Sequence, residues 1–220
     1  MAAGRKVGKI FVGKIELKNK IYMGLKSRVE REIFNFMHPM PVYKPLRKSR
    51  PINRLDVPSA WSGLEEIIES LLIQFSINRD SCIEFGTEYG YSTVAFSNYF
   101  DRVKGVDLFL GDAHSGLKTD HYNETKALLS QYPNIELVQA DFRDYILSDN
   151  NHYNLAHVDI VHTYQETFDC GYWALQHSDC CLFHDTNSFK EVRQAVIDLS
   201  KVTGRKLYNY PHHHGLGIII

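Results

Sequence analysis

Cysteine is scarce in this sequence of 220 residues: there are four, and no two stand as C-x-x-C. Cys82, Cys180 and Cys181 lie inside apolar stretches, so they read as buried, reduced thiols, and together with Cys170 they lack the spacing of a structural zinc site. Long apolar runs are also missing. No stretch reaches the roughly 20 residues that cross a bilayer, and the N-terminus lacks the apolar core of a secretory signal, so a cytoplasmic protein with no membrane span is expected. There is no internal repeat and no low-complexity tract. Acidic residues are nearly absent from the first quarter: residues 1–55 carry 14 Lys and Arg against three Asp and Glu. Residues 56–220 reverse the balance with 11 against 23, so a net charge of −1 conceals two segments of opposite sign. Such a basic arm either packs on the acidic part or on a second copy, giving a homo-oligomer, or meets an anionic partner such as nucleic acid. The first is the favoured expectation.

What remains is an ordinary globular composition, 44% apolar and 23% charged. Gly4–Lys26 reads as one or two short strands and Ser27–Met37 as a helix with Val29, Ile33, Phe34 and Met37 on one face. His38–Pro58, with five prolines, reads as an irregular crossing segment. Ser62-Gly-Leu-Glu65 has the form of a capping box before a helix reaching about Ile77. Strands are then expected at Cys82–Phe85, Arg102–Asp107, Ile135–Ala140, Asn154–Val161, Cys180–His184, Lys206–Tyr210 and Gly215–Ile220. Helices separate the first six, at Tyr91–Tyr99, Asp120–Gln131, near Phe142–Ser148, Tyr164–Gln176 and Phe189–Thr203. This alternation predicts a parallel sheet with helices on both faces, and the closing pair of strands predicts one antiparallel member.

Chemistry concentrates where strands end. Glu84-Phe-Gly-Thr-Glu-Tyr-Gly-Tyr-Ser92 links the first strand to the next helix. Gly86 and Gly90 allow the backbone to turn and approach a ligand, and free N–H groups at the helix entrance favour an anionic group. Asp107 ends the second strand, 21 residues after Gly86, where a carboxylate can accept from ribose hydroxyls. Asp141 ends the third, placed to meet an adenine edge. A nicotinamide oxidoreductase is disfavoured: Glu88 stands in the middle position of G-x-G-x-x-G, and a Glu84–Glu88 pair would repel a pyrophosphate. A sulfonium cofactor with a free amino group suits an acidic pocket better. Tyr122-x-x-x-Lys126 imitates a short-chain dehydrogenase pair but comes too early, so it reads as a solvated helix face.

A second group follows the fourth and fifth strands: Asp159, His162, His184 and Asp185. A hydroxyl to be alkylated must lose its proton to a base or have its pKa lowered by a metal. His162 titrates in the right range, and Asp159 and Asp185 could hold a cation through oxygen. His212, His213 and His214 read as the turn before the last strand. Trp61 and Trp173 read as core or rim aromatics.

From Ser81 to Ile220 the sequence resembles the class I S-adenosylmethionine (SAM) methyltransferases related to macrocin O-methyltransferase and cephalosporin-hydroxylase-like proteins. The matching segments are CIEFGTEYGYSTVAFS, VKGVDLF, VDIVHTYQETFDCGYWAL, LFHDT and HHHGLGI. The resemblance implies a Rossmann-like, doubly wound, mostly parallel seven-stranded sheet of order 3-2-1-4-5-7-6 with an antiparallel edge strand, built from residues 59–220 after a basic extension, 1–58. It implies SAM bound by Glu84, Gly86, Thr87, Gly90, Ser92, Asp107, Leu108, Asp141, Phe142 and Asp159. It also implies His162 as base with Asp159 in the catalytic pair, and Mg2+ on Asp159 and Asp185, with His184 beside them as a further candidate ligand. The chain departs from the family pattern twice: His184-Asp185 stands where Glu-Asp is common, and Asp159-Ile-Val-His162 replaces D-G-D-H. The expected activity is methylation of a hydroxyl on a small molecule, of sugar or secondary-metabolite type. A nucleic-acid methyltransferase and a non-catalytic cofactor-binding module are the alternatives.

Overall fold

The computed structural model describes residues 26–111 and 119–220. The chain divides into two units, Met1–Pro39 and Met40–Ile220. The described part of the first is a helix, α1, over 26–37, on which Val29, Ile33, Phe36 and Met37 are exposed. The strands expected in Gly4–Lys26 fall outside the described residues but for their last position.

The second unit alternates strand and helix. A 3-10 turn at Glu65–Ile67 runs into α2 (Ile68–Gln74), followed by β1 (Ser81–Phe85), α3 (Tyr91–Ser97), β2 (Arg102–Asp107), α4 (Tyr122–Leu129) and β3 (Ile135–Gln139). Then come α5 (Phe142–Tyr145), β4 (Tyr153–Val158), α6 (Tyr164–Gln176), β5 (Ser178–His184), α7 (Lys190–Thr203), β6 (Leu207–Tyr210) and β7 (Leu216–Ile219). The expected capping box takes another form. Glu65 accepts from Gly63 N at 2.6 Å, and Ser62 makes no cap, so the helix opens as a tight turn.

The strand order is β3-β2-β1-β4-β5-β7-β6. β1 to β5 are parallel, and β7 is antiparallel to both β5 and β6. The reason is steric economy: only the short turn Pro211–Gly215 joins β6 to β7, too short for a crossover. Successive residues of the central strands enter opposite cores. Leu155, Leu182 and Ile218 pack with Trp61, Leu71 and Phe96, whereas Ala156, Phe183 and Ile219 pack with Phe85, Trp173 and Leu199. Burial on both faces explains why these strands read as continuous apolar runs.

The crossing segment after Met40 belongs to this unit. Met40, Tyr43 and Leu55 are buried, and Val42 bridges to Asn209 on the outer side of β6, with Tyr43 N donating to Asn209 O at 2.8 Å. The basic residues there meet acidic groups of α2 and the preceding turn: Arg47 pairs with Glu69 at 3.0 Å and Arg50 with Glu66 at 2.9 Å. The four cysteines are free and buried, and burial pushes the Cys180 thiol up to about 12.

Candidate active site

The turn after β1 is fixed by Asp107. Its Oδ2 accepts from Thr87 N and Glu88 N, both at 2.8 Å, and its Oδ1 from Phe109 N at 2.7 Å. The expected meeting of Asp107 with the glycine turn is therefore direct. Three of about four acceptor directions of a carboxylate are used, which leaves one on Oδ1 for an incoming hydroxyl. Gly86 has φ +90, and a Cβ there would lie 1.8 Å from Asp159 O. Glycine is required because the backbones just past β1 and β4, parallel neighbours, come into close contact here, where Asp159 N also donates to Phe85 O at 2.8 Å. Gly90 begins α3 at φ +86, Ser92 is buried in the first turn of α3, and Leu108 is 45% exposed beyond β2. The Thr87 hydroxyl is buried without a hydrogen-bond partner.

Glu84 goes elsewhere. The strand alternation that sends Phe85 into one core sends Glu84 into the other, where it is fully buried. Thr93 Oγ1 donates to its Oε2, and His157 Nδ1 lies 2.8 Å from its Oε1. Trp61 Nε1 donates to His157 Nε2 at 3.2 Å, which fixes Nε2 as acceptor and Nδ1 as donor. The carboxylate expected to line the cofactor's methionine end is thus spent on a buried chain that ties α3, β4 and Trp61 to β1. His157, missed in the sequence, faces Glu84 across adjacent strands. A polar residue inside each of two apolar strands was the available signal.

Asp141 caps α5, accepting from Arg143 N at 2.9 Å, and pairs with the Arg143 guanidinium at 2.9 Å. The same guanidinium covers Phe142 at 4.8 Å and reaches Glu166 of α6. Asp141 and Phe142 hold their expected place at the end of β3, with Ala140 N bonded to Asp107 O at 2.9 Å. Tyr122 and Lys126 share a face of α4, with the ammonium 5.5 Å from the ring and Lys126 exposed.

Beyond β4 and β5 the four singled-out residues do gather. His162 Nε2 is 2.7 Å from Asp185 Oδ2 and 3.7 Å from Asp159 Oδ1. His184 Nδ1 is 3.0 Å from Asp159 Oδ2 and 3.6 Å from Asp185 Oδ2. Donor atoms of Asp159, His162 and Asp185 all fall within 4.8 Å of one another. Asp185 holds this position at φ +63, and His213 and His214, in the turn opposite, have φ of 50 and 69. Three non-glycine residues in the left-handed region around one cluster concentrate backbone strain there. The His162 ring stacks on Phe189 at 4.1 Å and 7°. Burial alone would lower the His162 pKa, but ion pairs with Asp159 and Asp185 outweigh it and raise it to about 9. The same two carboxylates raise His184 against burial. Asp159 runs the other way: burial opposes its charge, but His184 and His162 hold it well below the usual range.

The strand order, the bound-up turn after β1 and the cluster after β4 and β5 can be set beside known structures. No family model matches the chain, and no curated protein does. Among solved structures, the O-methyltransferase NovP superposes with a TM-score of 0.56 at 13% identity, over 67% of this chain and 74% of that one. The O-methyltransferase from Bacillus cereus in complex with SAH gives 0.53 at 12% identity, over 89% and 90%. The fold is a Rossmann-like methyltransferase fold. At these identities the likeness speaks to architecture, and the chemistry must be read from the site.

Proposed function

We propose that the chain is a SAM-dependent methyltransferase acting on a hydroxyl oxygen of a small molecule. One observation carries this reading: along a single edge of the sheet, the Asp107-held turn at Gly86 lies next to the cluster of Asp159, His162, His184 and Asp185. The residues present fit an adenosyl group. The open acceptor direction of Asp107 suits a ribose hydroxyl, exposed Leu108 offers apolar surface, and Asp141 with Phe142 stands at the end of the next strand. Gly86, Thr87, Gly90 and Ser92 would shape the turn around the amino-acid end, and Asp159 replaces Glu84 as the carboxylate facing its positive charge. When bound, SAM supplies an electrophilic methyl on a sulfonium.

His162 is the proton acceptor in this reading. It sits at the rim, 13% exposed, with its plane set by Phe189 and its Nε2 by Asp185 and Asp159. Two carboxylate partners raise its pKa to about 9, so the ring is mostly charged near neutral pH; its neutral fraction is a strong base, and turnover should rise with pH towards 9. Positioning the hydroxyl against the methyl donor supplies the rest. Magnesium, which the resemblance implies, is not a good fit to a donor set with imidazoles among the carboxylates, and no step is assigned to it.

Calorimetry with S-adenosylhomocysteine tests the cofactor reading; absence of binding at high micromolar concentration would reject it. A panel of hydroxylated metabolites with labelled SAM finds the acceptor. On that acceptor, His162→Ala should lower kcat by about 100-fold or more while leaving the S-adenosylhomocysteine affinity within a few-fold. Full turnover by the variant would remove His162 from the role.

A further inference from the structure

The opposite edge of the sheet, at the amino ends of β1 to β4, holds a groove that the proposed chemistry does not use. It encloses about 520 Å3, a volume usual for a small-molecule site. A short helix is its origin. α5, which joins β3 to β4, is a single turn of four residues, so it leaves the lower part of that sheet face without a helical cover. Strand alternation puts Arg102, Lys104 and Val106 of β2 on one face. Val106 enters the core with Phe85, whereas the two cations line the groove. An interior parallel strand is normally apolar on both faces. β2 departs from that pattern with two cations, inside a stretch, residues 56–220, that carries 23 Asp and Glu against 11 Lys and Arg.

Arg102 is exposed and has no ion-pair or hydrogen-bond partner among the described residues. The Lys104 side chain is 23% exposed, with its ammonium 5.8 Å from the centre of the Tyr145 ring and 3.5 Å from Glu136 Oε2. Glu136 stands opposite Lys104 on β3 and is 65% exposed, so it is a weak competitor for an ammonium that has three donors. Asp101, exposed, is the other carboxylate of the lining, and His152 is drawn off to Asp179 at 2.8 Å. Ser81 of β1, in register with Arg102, adds a hydroxyl. We infer that this groove binds a small phosphorylated metabolite, with its phosphate on Arg102 and Lys104. A guanidinium offers a planar fork and an ammonium a point charge, and both suit phosphate oxygens. Asp107 lies at the other end of β2, five residues and about 16 Å away, so this site does not rest on the cofactor reading.

The test is calorimetric titration of the full chain with glucose 6-phosphate and inorganic pyrophosphate, with glucose as the control. Both phosphates should bind and glucose should not. Arg102→Gln and Lys104→Gln should each weaken binding by about tenfold, the worth of one charge-assisted hydrogen bond, and Arg102→Lys should keep part of it. Amide shifts on adding glucose 6-phosphate should concentrate at Ser81, Val103 and Asn134. Shifts confined to Thr87 and Glu88 would place the anion at the glycine turn and overturn the inference. No binding of either phosphate at millimolar concentration overturns it without a variant, and binding of pyrophosphate alone reduces the groove to a bare anion site and overturns it too. Wild-type affinity in the double variant Arg102→Gln with Lys104→Gln, folded by circular dichroism, does the same. The affinity for S-adenosylhomocysteine should be equal in all these proteins, so a failure at either edge of the sheet is read separately.

Discussion

At the scale of single residues, the buried Glu84–His157–Trp61 chain sets what the site can tolerate. Glu84 and His157 have no access to solvent, and each takes its polar partner from the other. His157→Ala would leave the Glu84 carboxylate with the Thr93 hydroxyl alone and open a cavity beside Trp61. Leaving a buried carboxylate short of a hydrogen-bond donor costs about 1–3 kcal/mol or more. Replacing both, as Glu84→Met with His157→Leu, should recover much of that, because the unpaired polar group disappears along with its partner. Urea unfolding of the three proteins measures this. A loss under about 1 kcal/mol for His157→Ala would show that Glu84 finds another partner. The same residues mark where sequence reading stopped. Asp107, Asp159, His162, His184 and Asp185 were legible because each stands at the end of a strand, where the chain reverses and side chains gather. Glu84 stands one residue inside its strand, so strand alternation, not proximity to the glycine turn, decides where it points. Its contact with His157 depends on the register of β1 against β4, which no local pattern reveals.

At the scale of elements, most bounds followed from periodicity: β2 and α6 span the residues expected of them, because each starts and stops at clear signals. Thr163 accepts from Glu166 N as the cap of α6, and Asp107 closes β2 by binding the neighbouring turn. The crossing segment was less legible. Its pairing with β6 rests on two backbone bonds to Asn209, at 2.7 Å from Asn209 N to Pro41 O and 2.8 Å from Tyr43 N, which leave no trace in side-chain pattern. The link from α5 to β4 is tied by buried Asp149. Its Oδ2 accepts from the Tyr145 and Tyr153 hydroxyls, each at 2.6 Å, and its Oδ1 from Asn151 N at 2.9 Å. Burial pushes the Asp149 pKa up, but these donors outweigh it and the net shift is downward. A depressed carboxyl pKa means that stability is fully present above the unfolded value, about 3.9, and is lost as pH falls through the folded one. Asp149→Asn should therefore be less stable than the wild type at pH 7, and the gap should narrow as pH falls below about 3.9. Urea midpoints across that range decide it; a gap independent of pH would mean that packing, not the charge, holds the link.

At the scale of the whole molecule, the opposed charges of residues 1–55 and 56–220 leave two roles for the basic arm. Part of the answer is internal. Arg47 and Arg50 pair with Glu69 and Glu66, and Ser49 donates to Glu69 at 2.7 Å, so this stretch of positive charge meets acidic groups of its own unit. Bonds from Leu46 N to Ser70 Oγ at 2.7 Å and from Ser49 N to Glu66 O at 2.8 Å hold the segment against α2 and the turn before it. Cations neutralised in this way release few counterions on meeting a polyanion, and it is counterion release that drives nucleic-acid binding. Reversing both, as Arg47→Glu with Arg50→Glu, separates the roles. Exposed pairs of this kind contribute about 0.2–1 kcal/mol each, so the double variant should melt only a few degrees lower. RNA and DNA binding near 150 mM salt should be the same in the wild type and the variant, since both arginines, though exposed, already sit on carboxylates. Tight, steeply salt-dependent binding that the double reversal abolishes would instead make this face a nucleic-acid surface, and would move the search for the methyl acceptor from small hydroxylated molecules to RNA or DNA.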